Sequence, residues 1–246
     1  MTSPTRWASE AYPGQYRADV NRAIGFSGLG MDLFTRAKAE DLLKLVGAVS
    51  NMTPTDAVCL DIGCGIGVSH ALIALRTGQL YGVDVSADAI EIARANNVGV
   101  EYRVQDGNQL PIADASIDCS STVCVMHHVA PEQWPGFVAE AWRVTKPGGL
   151  FAVYEHNPLN PLTKWAVWRC PFDHDAVLLT SRRVKALLKS QGFEIVTHRY
   201  LFFVPLDRPW ARKIDWLLRW LPFGAQYVVC GRKPMDTSSA RVKNPT

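Results

Sequence analysis

The chain has 246 residues, of which 48% are hydrophobic and 20% are charged. That length and composition suit a single folded domain with added segments, and no second domain is needed. The formal net charge of +3 comes without the clustered Lys and Arg of a nucleic-acid-binding surface, so we expect no nucleic-acid partner.

The six cysteines contain no CxxC pair, and four of them lie in apolar, strand-like runs. This pattern favours reduced thiols in the core over disulfides or a zinc site. The sequence shows neither an apolar stretch of about 20 residues nor a signal-like N-terminal segment. We therefore expect a cytoplasmic protein.

Short apolar runs and helical patterns alternate along the middle of the chain. Strands are predicted at 57–62, 79–85, 101–105, 117–125 and 150–155. Helices are predicted at 68–78, 87–97 and 131–145. Gly78 is the expected C-cap of the first helix and Ser86 the expected N-cap of the second, while the third closes at Lys146-Pro147-Gly148-Gly149. Such alternation predicts an α/β fold with a doubly wound, mostly parallel, Rossmann-like sheet, helices on both faces, and ligands beyond the carboxyl ends of the strands.

Two longer segments interrupt this pattern near the C-terminal end. Residues 156–179 are rich in proline and aromatic residues, and a loop of that length predicts a lid-like function. A helix at 181–192 and strands at 193–200 and 225–233 follow, separated by a second lid-like insert, 201–224, with an amphipathic helix. The main domain is expected to span 51–233, and the polar tail 234–246 is expected to be disordered.

Three glycines at alternate positions follow the first predicted strand: Gly63, Gly65 and Gly67. Glycine permits positive φ and the close approach of another molecule to the backbone, so this turn predicts a cofactor cradle. Dinucleotide-binding folds use a very similar turn. Further acids end the next two strands, and a carboxylate such as Asp84 can accept hydrogen bonds from both ribose hydroxyls of an adenosine.

Five stretches together carry a resemblance to a known family: "LDIGCGIG", "GVDVS", "VQDGNQLPIADASIDC", "MHHV" and "AWRVTKPGGLF". In this order and spacing, from about residue 58 to residue 151, they resemble the class I S-adenosylmethionine-dependent methyltransferases of the small-molecule type. The resemblance implies S-adenosylmethionine as the cofactor. It also implies a seven-stranded sheet whose last strand is antiparallel, and residues 1–50 as an N-terminal helical cap.

The resemblance further assigns parts of the cofactor to parts of the chain. The backbone around Asp61, Gly63 and Gly65 would receive the methionine end, and Asp84 would hold the ribose hydroxyls. Asp106 would hold the adenine amino group with help from the Gly107 backbone. The full predicted set is Asp61, Gly63, Cys64, Gly65, Gly67, Asp84, Val85, Asp106, Gly107 and Val123, with residues 123–126 flanking the cofactor.

Candidate catalytic residues follow the fourth and fifth strands. They are His127, His128, Glu155 and His156. A histidine there suits proton transfer near neutral pH, although the two adjacent histidines could instead cap and pack the following turn. The 173–175 segment, Asp-His-Asp, offers metal-ligand types within one short loop, but no partner is evident and we predict no metal site.

Five tryptophans lie in the two inserts: Trp165, Trp168, Trp210, Trp216 and Trp220. We expect the helix around 209–221 to pack on its own sheet edge, in preference to a membrane surface or an apolar substrate. By the resemblance, aromatic residues of the N-terminal part would close over the site. These are Tyr12, Tyr16, Phe26 and Phe34.

The favoured function is methyl transfer from S-adenosylmethionine to an O, N or C atom of a small-molecule acceptor, with apolar and aromatic compounds among the candidates. One alternative is a non-catalytic protein that binds the same cofactor as a sensor or accessory subunit. A nicotinamide-dependent oxidoreductase would share the glycine turn and Asp84 but would leave the Asp106 segment unexplained. The sequence leaves the acceptor, the base and the oligomeric state open.

Overall fold

A computed structural model of the chain describes residues 18, 21–25, 30–48, 53–204, 206 and 208–235. Half of the predicted N-terminal cap lies outside these residues, including Tyr12, Tyr16 and Phe26. The predicted disordered tail also lies outside them beyond residue 235.

Seven strands form one sheet in the order β3-β2-β1-β4-β5-β7-β6. They are β1 Val58–Ile62, β2 Gln79–Asp84, β3 Val100–Val104, β4 Ile117–Val123, β5 Thr145–His156, β6 Glu194–Leu201 and β7 Gln226–Arg232. The pairs from β3 through β5 are parallel, and β7 runs antiparallel to both of its neighbours. The predicted seven-stranded, mostly parallel sheet with an antiparallel last strand is confirmed.

Helices cover both faces of this sheet, as predicted. They are α1 Met31–Gly47, α2 His70–Ala74, α3 Ala87–Asn96, α4 Trp134–Val144, α5 Pro161–Arg169, α6 Ser181–Ser190 and α7 Pro209–Leu218. Apolar residues of α4 and α6 form one buried cluster with the sheet, and those of α1 and α2 form another. The N-cap prediction for α3 is confirmed, since Ser86 Oγ accepts a hydrogen bond from the Ala89 N–H at 3.2 Å.

The first crossover helix is shorter than predicted, and Gly78 is not its C-cap. Helix α2 ends at Ala74, four residues before that glycine. The backbone of 53–57 passes close by: a Cβ on Gly78 would lie 2.6 Å from the Thr55 carbonyl oxygen, and the Gly78 N–H donates to the Ala57 carbonyl at 3.0 Å. The glycine is therefore required by a close backbone approach.

Strand β5 begins earlier than predicted and includes the Lys-Pro-Gly-Gly stretch that was expected to be only a turn. Gly148 has φ +81°, and the register with β4 shifts between Ile117 and Cys119. The Gly148 N–H donates to the Lys233 carbonyl at 2.8 Å, and the Lys233 N–H donates to the Gly149 carbonyl at 2.9 Å. Pairing with the chain after β7 thus draws this irregular stretch into the sheet.

Helix α1 is tied to the sheet by a buried polar contact as well as by apolar packing. The Tyr154 hydroxyl donates to Asp41 Oδ2 at 2.7 Å, and Arg199 forms an ion pair with the same carboxylate. One side chain of α1 therefore links β5 to β6. The described part of the N-terminal region consequently forms part of the helical layer on the sheet.

The helix predicted at 209–221 ends against the edge strand β6, where the Tyr200 N–H donates to the Arg219 carbonyl at 2.7 Å, but its tryptophans do not pack there. Trp210, Trp216 and Trp220 are 51%, 64% and 72% exposed. Helix α7 instead buries Ala211 and turns Asp215 inward, where Asp215 Oδ1 accepts the N–H of Phe203 at 2.8 Å. Within the described residues, no helix is both long enough and apolar enough to span a membrane.

Candidate active site

The glycine turn has the predicted backbone conformation. Gly63, Gly65 and Gly67 have φ values of +76°, +51° and +67°. The N–H groups of Gly63 and Cys64 donate to the Val83 carbonyl at 2.8 and 3.0 Å, which ties the end of β1 to β2. A Cβ on Gly65 would meet nothing within 4 Å. The turn therefore borders open space in which another molecule can approach the backbone.

The carboxylate of Asp84 holds the glycine turn from the end of β2. Its Oδ2 accepts the Gly65 N–H at 2.8 Å, and its Oδ1 accepts the Ser86 N–H at 2.9 Å. Burial raises the pKa of Asp84, and these backbone donors offset part of that effect. A hydrogen-bond acceptor is thus fixed beside the turn, next to the half-exposed Val85.

Asp106 and Gly107 form an exposed turn at the end of β3. Asp106 Oδ1 accepts the N–H groups of Asn108 and Gln109 at 2.9 and 3.1 Å, and these bonds hold its pKa below the usual value. Gly107 has φ +86°, and a Cβ there would lie 3.9 Å from Val85 Cγ1. The ends of β2 and β3 therefore lie side by side, as the predicted cofactor site requires.

A buried polar network beneath the turn was not predicted. His70 Nε2 lies 3.0 Å from Asp61 Oδ2, and His70 Nδ1 lies 2.7 Å from the Tyr102 hydroxyl. Asp61 Oδ1 accepts the Ser121 hydroxyl at 3.2 Å. Because the Asp61 carboxylate is used internally, only the backbone near it is left to face a ligand. The only feature of the sequence that could have indicated this network is His70, a histidine on the apolar face of α2.

The two histidines after β4 belong to a buried cluster. His127 Nδ1 lies 2.6 Å from Glu155 Oε2, and the rings of His127 and His128 are 4.1 Å apart. Asp173 Oδ1 lies 3.5 Å from Nε2 of each histidine. The fold thus supplies the partner that the sequence did not reveal for the 173–175 segment, while His174 and Asp175 are exposed.

Glu155 holds the segment after β4 in place. Its Oε1 accepts the N–H groups of Val125 and Met126 at 3.1 and 2.8 Å, and its side chain is fully buried. Burial raises the pKa of Glu155, but the charge and hydrogen bond of His127 outweigh that effect and the pKa is lowered. This arrangement favours a role for Glu155 in positioning His127 over a role in direct contact with an acceptor.

Protonation differs across the three histidines of this region. Burial lowers the pKa of His127, but the carboxylates of Glu155 and Asp173, one beside each ring nitrogen, raise it well above its usual value. Burial and the neighbouring His127 lower the pKa of His128 to about 4. Burial likewise lowers the pKa of His156, but the charge and hydrogen bond of Cys124 outweigh this effect, so the pKa is raised.

Cys124 is a half-buried thiol that the sequence placed in a strand. It lies just beyond β4 with φ +57°, and its Sγ is 3.7 Å from Lys38 Nζ and from Gln226 Nε2. Burial raises the pKa of Cys124, but the charges of Lys38 and His156 outweigh that effect and lower this pKa to about 7. The other five thiols have raised pKa values; in each the largest cause is burial. All six cysteines are free, as predicted.

The donor set at the strand ends fits an adenosine-containing sulfonium cofactor. Open space borders Gly65, and carboxylates from two neighbouring strands stand ready to accept from hydroxyl and amino groups. These are the groups that the sequence assigned to that cofactor.

Comparisons with known proteins agree with this chemistry. Residues 60–153 match the model of a methyltransferase domain family. The ubiquinone biosynthesis O-methyltransferase of Rhizobium etli is 27% identical over 71% of this chain and 72% of its own. Across four of the curated relatives that it matches, the chain spans between 29% and 73% of their length.

Two methyltransferases are described among the solved structures that share the fold. One is a putative methyltransferase of Haloferax volcanii in complex with the Trm112 activator, with TM-score 0.63 and 18% identity over 92% of this chain and 100% of that one. The other is the geranyl diphosphate C-methyltransferase of Streptomyces coelicolor with Mg²⁺, geranyl-S-thiolodiphosphate and S-adenosyl-L-homocysteine, with TM-score 0.61 and 17% identity over 80% of this chain and 76% of that one. Residues 60–153 are therefore a methyltransferase domain that uses S-adenosylmethionine as its cofactor, and the chain has the fold of the class I S-adenosylmethionine-dependent methyltransferases.

Proposed function

We propose that the protein transfers the methyl group of S-adenosylmethionine to an oxygen atom of a small-molecule acceptor bound beside His127 and His128. The observation that carries this proposal is the contact between the glycine turn and the segment after β4. A Cβ on Gly63 would lie 2.5 Å from Val125 Cγ2, so the histidine cluster begins two residues beyond the wall of the cofactor turn.

The cofactor would be held as the strand-end residues suggest. The backbone of Gly63 and Gly65 would receive its amino-acid part, Asp84 its ribose hydroxyls and Asp106 its adenine amino group. When bound, it supplies a methyl group on a sulfonium, whose S–C bond breaks as the bond to the acceptor forms. The chain's own residues then have to orient the acceptor and exclude water, which can lower the barrier by roughly 7 to 11 kcal/mol.

The protonation states of the histidine cluster favour an acceptor that carries an ionisable O–H group. His128 is neutral at neutral pH, so it can accept a hydrogen bond from that group and take up its proton as the methyl group is transferred. His127 is cationic between Glu155 and Asp173, and its charge would stabilise the negative charge that develops on the acceptor oxygen. In this proposal Glu155 and Asp173 orient His127, and the fully buried Glu155 does not contact the acceptor. The O-methyltransferase relative is consistent with oxygen as the acceptor atom.

The test combines binding with turnover. Calorimetry should show binding of S-adenosylmethionine and S-adenosylhomocysteine but not of NADH. A labelled methyl donor should then label hydroxylated compounds in a metabolite extract, and His127→Gln should reduce labelling. The exposed His174→Gln serves as the matched control and should leave it unchanged. Cofactor binding without labelling of any extract would overturn the proposal and favour the non-catalytic alternative.

A further inference from the structure

We propose that His127, His128 and Asp173 bind one divalent transition-metal ion. One ring nitrogen of each histidine and one carboxylate oxygen of Asp173 lie within 4.8 Å of one another. Ligand atoms about 2.0 to 2.1 Å from a tetrahedral ion lie roughly 3.3 Å apart. The 3.5 Å distances from Asp173 Oδ1 to both histidine nitrogens are therefore close to those of a formed site.

The hydrogen bonding of His127 points to a ligand at its second nitrogen. Its Nδ1 donates to Glu155, so in the neutral ring Nε2 carries a lone pair that faces Asp173 Oδ1. The side chain is 1% exposed, and Nε2 has no hydrogen-bond partner. Two buried acceptors facing each other need a positive charge between them, which either a metal ion or a proton on the ring can supply.

Glu155 gives this site the support that metal-binding histidines usually have. A histidine ligand commonly donates its other ring N–H to a carboxylate, which fixes the ring and makes the ligating nitrogen more basic. Glu155 does this at 2.6 Å, and its other oxygen is anchored by the N–H groups of Val125 and Met126. The ligand ring is thus held in place from the sheet.

The site has a side open to solvent and contains only three protein ligands. The side chains of His128 and Asp173 are 24% and 16% exposed, so an ion can reach them. Two imidazoles and one carboxylate favour Zn²⁺, Fe²⁺ or Mn²⁺ over Mg²⁺, and three protein ligands leave coordination positions vacant. With an ion bound, His127 and His128 act as ligands, and an acceptor oxygen at a vacant position would meet the charge of the ion in place of the His127 charge and the His128 hydrogen bond proposed above. That consequence rests on the proposed methyl transfer, whereas ion binding itself does not.

The experiment measures Zn²⁺ binding to the untagged full chain after treatment with a chelator, by competition with a chromophoric chelator. We expect one ion per chain and at least about tenfold weaker binding in Asp173→Asn and in His128→Gln. Glu155→Gln should weaken binding by roughly 10- to 100-fold through the outer-shell bond. Asp175→Asn and His174→Gln, exposed residues of the same loop, should bind as the wild type does.

Thermal unfolding of each variant shows which of them are folded, and bound Co²⁺ gives a visible spectrum that reports its ligands. Equal Zn²⁺ affinity in the wild type and folded Asp173→Asn would overturn the proposal and leave a protonated His127 between two carboxylates. Calorimetry with S-adenosylhomocysteine on the metal-free wild type separates the two proposals. Loss of that binding would count against the proposed function, while the ion result would stand.

Discussion

Asp84 stabilises the glycine turn and is also the residue assigned to the cofactor ribose. We expect Asp84→Asn to weaken S-adenosylhomocysteine binding by roughly 1 to 3 kcal/mol, because it removes a charge-assisted acceptor while keeping the shape of the side chain. Calorimetry checks this value. Asp88→Asn, an exposed acid in the first turn of α3, is the matched control. If Asp84→Asn and Asp88→Asn bind S-adenosylhomocysteine with equal affinity, the assignment of Asp84 to the cofactor ribose is wrong.

Cys124 should be the most reactive thiol of the folded protein near neutral pH. With a pKa of about 7, it is half ionised at that pH, whereas burial keeps the other five thiols protonated. The rate of alkylation by iodoacetamide, followed by peptide mass spectrometry, should rise through pH 7 and level off above it. An ordinary thiol would continue to gain rate toward pH 9.

The Lys38 ammonium lowers the Cys124 pKa, so Lys38→Met should move the alkylation profile to higher pH. Lys44→Met in the last turn of the same helix should leave the profile in place. S-adenosylhomocysteine should slow the reaction if residues 123–126 flank the cofactor. A profile that is the same in both lysine variants would contradict the electrostatic account.

Residues whose role depends on local backbone were predictable, and residues whose role depends on distant partners were not. The positive φ of Gly65 and the place of Asp84 follow from a strand, a turn and the next strand. Asp173 meets His127 across a segment with little periodicity, and Lys38 meets Cys124 across 86 residues of chain. No spacing in the sequence encodes either contact.

At the scale of elements, the glycine turn allows cofactor binding and folding to be separated. Gly65→Ala adds a methyl group that meets no protein atom within 4 Å, so it should cost only about 1 to 2 kcal/mol of stability from positive φ. The same methyl group would occupy the space beside the turn. We therefore expect a folded protein with sharply reduced S-adenosylhomocysteine affinity, measured by calorimetry.

Gly67→Ala is the matched comparison for this effect. Its Cβ would lie 2.5 Å from the Tyr102 hydroxyl and 2.8 Å from Asn97 Nδ2, inside the network under the turn. Overpacking should make it roughly 1 to 3 kcal/mol less stable than Gly65→Ala in denaturant unfolding. Equal stability of the two variants would show that the turn relaxes around the added group.

The type and order of the elements were predictable, and some of their boundaries were not. The repeat of hydrophobic residues differs between strands and helices and can be read from neighbouring residues, so each strand of the predicted sheet is present. The early end of α2 depends on the backbone at Ala57, and the early start of β5 depends on the chain after β7. Both differences arise from contacts with other elements, which local periodicity cannot show.

At the scale of the whole molecule, one surface combines exposed aromatic and basic side chains. We define the aromatic surface as Trp210, Trp216, Leu217, Trp220 and Phe223, all more than half exposed. The basic residues Arg208, Lys213 and Arg219 are exposed among them, and the Arg219 guanidinium lies 4.7 Å from the Trp216 ring centroid. This combination suits contact with an anionic lipid surface.

We predict that the protein sediments with phosphatidylserine-containing vesicles but not with pure phosphatidylcholine vesicles, and less so as salt increases. Replacing Trp216 and Trp220 with serine should reduce binding at least about tenfold, because both apolar anchors are lost. Val98→Ser removes an even more exposed apolar group elsewhere and should have no effect. If the double variant binds phosphatidylserine-containing vesicles as well as the wild type does, the aromatic surface is not the membrane contact.

Strand β7 is the last of the described strands along the chain, yet it lies between β5 and β6. A ribosome delivers the chain from its N-terminal end, so the glycine turn and both acids of the cofactor site are made well before residues 226–232. Until then the nascent chain has an open apolar edge along β5, and β6 has no neighbour in the sheet. His156 and Cys124 also lack Gln226 at that stage. The last of the described strands to leave the ribosome therefore completes both the sheet and the wall beside the reactive thiol.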